Sequence, residues 1–147
     1  MILAALVALA LAWAPVRGAL AQSEIWNQEK VAALAGELES AVSGLRDAVR
    51  KSPMWQNPQQ KQTLYRIADK LRLIESEAAS LHAQLTRGAG MQESLPNYER
   101  LQRLRRDAQV LAKKTDVSAV TQPKLDRATQ VLNQLAPYYP AQPAPKS

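Results

Sequence analysis

The chain has 147 residues, no cysteine, a single histidine and a net charge of +6. That length holds one domain. Without cysteine there is no disulfide framework, no thiolate metal site and no cysteine nucleophile, so stability must come from apolar packing.

The first stretch, Met1 to Ala21, reads as a leader. Ile2 to Trp13 is an apolar run of signal-peptide length, too short for the roughly 20 residues of a membrane span. Pro15 and Gly18 break it, and Ala19-Leu20-Ala21 fits the small-x-small cleavage rule, which places the cut between Ala21 and Gln22. No Lys or Arg precedes the run, and no Cys follows it to carry a lipid. The expected organisation is therefore residues 1–21 signal peptide, 22–136 helical bundle domain and 137–147 proline-rich disordered tail. The compartment that follows is the bacterial periplasm or the exterior. No later run could cross a membrane after cleavage.

The cleaved chain would carry a net charge of +5, spread over its length rather than gathered in a basic tail. Such a balance is compatible with weak contact to an anionic surface and specifies no partner.

The first helix is expected from about Glu24 to Lys51. Val31, Leu38 and Leu45 recur every seven residues, with Leu34, Ala41 and Ala48 and then Ala35, Val42 and Val49 as further rows. Three apolar positions per heptad suit a bundle rather than a narrow two-stranded seam. Gly36 and Gly44 weaken this helix and permit close approach of a neighbour. The break Ser52-Pro-Met-Trp-Gln-Asn-Pro58 follows, where Asn57 is expected to cap the second helix with Pro58 and Gln60 in its first turn. That helix should run to Arg87, ended by Gly88. Its seam is Leu64, Ile67, Leu71, Ile74, Ala78, Leu81 and Leu85, alternating steps of three and four.

Ser94 is the expected cap of a third helix, from about Leu95 to Lys114, with Tyr98, Leu101, Leu104, Ala108, Leu111 and Ala112 on one face. Thr121 is the expected cap of a fourth, roughly Gln122 to Ala136. There Val120 would staple onto Leu125, and Leu125, Ala128, Leu132 and Leu135 form the stripe. Short breaks between helices predict an all-α, up-down antiparallel bundle of two long and two shorter helices.

The expected helix lengths are about 42, 45, 30 and 23 Å, so the first hairpin should overhang the second by about 10–15 Å. Leu45, Val49, Met54, Trp55, Leu64 and Tyr65 sit at that tip, a candidate partner-binding patch with Trp55 as its anchor. The same topology gathers Trp26, Tyr98, Tyr138 and Tyr139 at the other end, as a plug.

Catalytic and metal chemistry do not assemble. His82 is one place off the second seam, and Met54 or Met91 has no route to share an axial pair with it. No strained elbow surrounds a serine. Glu37 and Glu39, like Glu75 and Glu77, are two apart on a helix and point to different faces. The sequence Arg87-Gly-Ala-Gly90 ends a helix, whereas a phosphate loop begins one. Arg100, Arg103 and Arg106 line one stripe with Arg105 beside them, but Glu99 and Asp107 interleave and few aromatics accompany them, which argues against nucleic acid. The expectation is a non-enzymatic interaction or structural module of the bacterial envelope, without metal or cofactor, engaging a protein partner or itself. The alternative is a sensor or binding bundle that holds a small apolar molecule between its helices.

Overall fold

The structure is a computed structural model, and residues 24–115 and 121–140 of it are described. The leader, the 116–120 connection with its Val120 staple, and the last seven residues lie outside the described residues. Four helices form: α1 (Gln28–Arg50), α2 (Lys61–Thr86), α3 (Met91–Ala112) and α4 (Gln122–Leu135). Short 3₁₀ turns occupy Pro53–Gln56 and Ala136–Tyr138. Among the described residues there is no strand, and the architecture is an all-α bundle. None of the described helices is long and apolar enough to cross a membrane.

Helix α1 begins four residues later than expected, because Asn27 takes the capping position and its Oδ1 accepts from Lys30 N at 3.0 Å. The segment before it is tied down instead: Glu24 N donates to Pro137 O at 2.9 Å. Every member of the 31/38/45 and 35/42/49 rows is buried, as is Leu34, while Ala41 and Ala48 are half-buried at the margin.

Asn57 does not cap α2. Its Oδ1 accepts from Gln59 N at 3.0 Å, closing a local turn, and the helix starts at Lys61. The turn competes successfully because an asparagine side chain can hold its own downstream amide as well as a helix's. The other end of α2 closes as the glycine signal predicts. Gly88 has φ +95°, Ala89 N donates to Gln84 O and Gly88 N to Leu85 O, the paired bonds of a Schellman ending. The seam of α2 is buried at every expected position except Ile67, which is half-buried.

Helix α3 differs most from expectation. It starts at Met91, not Leu95, so it spans 22 residues, almost matching the 23 of α1. Ser94 lies inside the first turn with its hydroxyl bonded back to Gly90 O at 2.8 Å. Pro96 is tolerated near the start, at the loss of one helical bond. The helices therefore measure about 35, 39, 33 and 21 Å in chain order. Three are long and one is short; the two-and-two division expected from the caps does not occur.

Helix α1 packs on α2, α3 on α2 and α4 on α1, while α3 and α4 scarcely meet. Across the α1–α2 interface, Gln28 reaches Leu85 and Ala89, Glu39 reaches His82, and Arg46 reaches Glu75. At Gly36 the helices come close, and an added Cβ would stand 3.1 Å from His82 Nε2. A glycine there lets the imidazole lie against the α1 backbone.

Candidate functional site

The two ends of the bundle are built differently. At the Trp26 end, Tyr139 is the centre of an aromatic cluster. It stacks on Tyr98 with ring centroids 4.3 Å apart and meets Trp26 edge-on at 5.4 Å, both favourable geometries. Tyr139 OH and Ser94 Oγ share a buried hydrogen bond of 2.8 Å. Gln28 links the cluster to the close of α2: its Oε1 accepts from Trp26 Nε1, and its Nε2 donates to Leu85 O and Ala89 O. Tyr138 and Tyr139 are buried, so packing continues past the end of α4. This end is closed.

Burial pushes the Tyr139 phenol up to about 12, against a partial lowering by its bond to Ser94. Tyr98 is raised as well, again by burial first. An elevated phenol value favours the protonated form in the fold. The resulting stabilisation is complete below about pH 10, the ordinary tyrosine value, and is lost as pH rises toward about 12. Urea denaturation from about pH 9 to about pH 12 should show about 1–2 kcal/mol lost through Tyr139, allowing for partial screening of its oxygen by water. Tyr139→Phe should flatten that part of the profile.

At the hairpin end all four helices line a half-open cavity of about 510 Å³. Its floor is Val42, Leu45 and Val49 of α1 with Leu64, Leu71 and Ile74 of α2. Ala108 and Ala112 of α3 form one wall, and Leu125, Ala128 and Leu132 of α4 the other. Burial follows this opening. The last buried residue of α3 is Leu101, and the first of α4 itself is Ala128. Leu104, Ala108, Leu111 and Leu125, expected to be core, are only half-buried because α3 and α4 do not close on each other here.

The six residues singled out from the sequence separate into three groups. Leu45, Val49 and Leu64 are buried and belong to the cavity floor, and half-buried Met54 borders the same space. Trp55 folds back onto α1: its Nε1 donates to Val49 O at 2.7 Å, a helix-end carbonyl that also accepts from Ser52 N at 3.1 Å. Its ring meets Tyr65 edge-on, with centroids 4.9 Å apart. Tyr65 alone is well exposed, at 66%. Trp55→Phe should keep most of the ring contact and lose the hydrogen bond, costing about 1 kcal/mol, whereas Trp55→Ala should cost about 3 kcal/mol or more. Thermal or urea unfolding of the two variants checks this.

Polar groups interrupt the apolar lining on α3 and α4. Arg105 and Gln109 of α3 and Lys113 just past its end follow one another at four-residue steps, and Asp126 and Thr129 of α4 share the lining. Thr115 and Thr121 border the cavity at either end of the 116–120 connection. Arg105 Nε is buried and has no hydrogen-bond partner among the described residues. Sequence reasoning placed Arg105 on a solvated face. Yet it stands four after Leu101 and three before Ala108, in the inner row of α3, and that spacing was the available signal.

The paired carboxylates are tied to separate partners. Glu37 binds Arg127, Glu39 binds His82 Nδ1, Glu75 binds Arg46 and Glu77 binds Arg100. These contacts stitch helices together across partly exposed flanks, each worth about 0.2–1 kcal/mol. Among the described residues, no three His, Asp or Glu side chains come together as a metal site would require. The chain matches none of the family models, none of the curated proteins and none of the solved structures with which it was compared.

Proposed function

We propose that this chain is an exported, non-enzymatic binding bundle of the bacterial periplasm or exterior, with its helices in up-down antiparallel order, and that it holds a small apolar molecule between them at the hairpin end. The observation that carries this reading is the cavity of about 510 Å³ with apolar walls from all four helices. That volume lies within the roughly 300–1,000 Å³ of small-molecule sites, which are mostly apolar with a few placed polar groups. The closed aromatic end supports it by anchoring the helices that line the cavity at the other.

A neutral fluorescent probe such as N-phenyl-1-naphthylamine tests the reading. It should bind one-to-one and raise the melting temperature by several degrees at saturating concentration. Absence of saturable binding would remove it.

A second reading, a protein-interaction or structural module, has Tyr65 in its favour, an exposed aromatic beside Trp55. It predicts a defined homo- or hetero-oligomer that Tyr65→Glu disperses. A monomer at all working concentrations, with no partner captured by crosslinking in the native envelope, would leave only the cavity.

A further inference from the structure

A purely apolar occupant would leave one group in the cavity unexplained. Arg105 is half-buried, and its Nε is buried and unpartnered, although a charged donor out of water is costly to leave unmatched. The guanidinium belongs to the same lining as Leu71, Ile74 and Leu132, and it cannot relieve the cost by losing its proton. Lys113, about 12 Å further along α3, is the second cation of the lining, and Asp126 is its one carboxylate. Asp126 is exposed and already accepts from Gln122 Nε2 at 2.8 Å. The lining therefore carries one net positive charge, with its buried donor on Arg105.

Resting on the cavity reading above, we propose that the ligand is a free single-chain amphiphile with a carboxylate head, its hydrocarbon chain on the α1–α2 floor and its carboxylate accepting from Arg105. A long-chain fatty acid is the simplest member of that class. Guanidinium matches carboxylate in planar geometry, and the bond is charge-assisted on both sides. A monoanion balances the lining, whereas a dianionic phosphate monoester would leave excess negative charge facing Asp126. A neutral head group offers Arg105 Nε at most an uncharged acceptor, and a cationic one would add repulsion.

Displacement of bound N-phenyl-1-naphthylamine from the full chain by dodecanoate, dodecanol and dodecylamine reads the head group directly. Dodecanoate should compete about tenfold or more better than dodecanol, with dodecylamine weakest, in proportion to one charge-assisted hydrogen bond. Arg105→Gln should erase the dodecanoate advantage and change dodecanol competition much less. Arg105→Lys, checked for native helicity by circular dichroism, should retain part of it, which keeps the test valid if the glutamine variant folds poorly. Equal competition by dodecanoate and dodecanol would overturn the head-group assignment while leaving the apolar cavity standing. So would a preference for dodecanoate that survives in both Arg105 variants or disappears only in Lys113→Gln. Failure of the neutral probe itself to bind would end both proposals.

Discussion

Leu81→Ala should lower stability by about 4–5 kcal/mol, the top of the range for a buried leucine, while Leu64→Ala should cost only about 2–3 kcal/mol. Both side chains belong to the same α2 seam and are nearly inaccessible, at 0% and 3% exposure. Their surroundings differ. Leu81 is fully buried in the core cluster and does not line the cavity, so truncation opens a void with little room to relax. Leu64 already faces the hairpin-end cavity. A side chain that borders open space has fewer dispersion contacts to lose, so its removal costs nearer to the transfer term alone. Urea denaturation of the two variants measures the difference. Equal losses would mean the two ends are equally well packed.

Ala108→Phe should abolish binding of an apolar probe, by about 100-fold or more, while changing stability by no more than about 1 kcal/mol. Ala108 is half-buried on the α3 wall and its methyl borders the cavity. Small-to-large substitutions in a filled core cost about 1–3 kcal/mol through strain. Into open space, the added ring gains apolar burial that offsets much of the strain. The ring would occupy the volume the ligand needs. A probe titration alongside a urea melt separates the outcomes: retained affinity would place the ligand elsewhere, and a collapse in stability would mean the space was not available. Leu81→Ala removes packing where packing holds the fold, and Ala108→Phe adds packing where the fold leaves room.

The helical periodicity was the most legible feature. Leu64 to Leu85 is a three-four seam, and the fold buries it nearly whole, because burial on α2 is decided by neighbours on two sides. Helix ends were read less well, for a local physical reason. Serine and asparagine side chains can satisfy a helix end, a turn or a distant partner equally well, and short-range sequence does not rank these. Ser94 is claimed by Tyr139, 45 positions away, and α3 starts earlier than a capping serine implies. Asn57 holds a turn, whereas Asn27 holds α1.

Those ends governed the site. With α3 read as short, the apolar residues at the α1–α2 tip were expected to overhang as an exposed patch. With α3 nearly as long as α1, Leu45, Val49 and Leu64 become the floor of a half-open cavity. The space itself was illegible, since it depends on α3 packing on α2 and α4 on α1 rather than on each other. One trace of it was present in the sequence: Arg105 interrupts the inner row Leu101, Ala108, Ala112.

Methyl NMR with a bound neutral probe tests the central claim most directly. The account predicts intermolecular contacts from the probe to the methyl groups of Val49, Leu64, Leu71 and Leu125, with the Trp26 and Tyr139 resonances undisturbed. Contacts confined to the surface around Tyr65, or to the aromatic end, would contradict it.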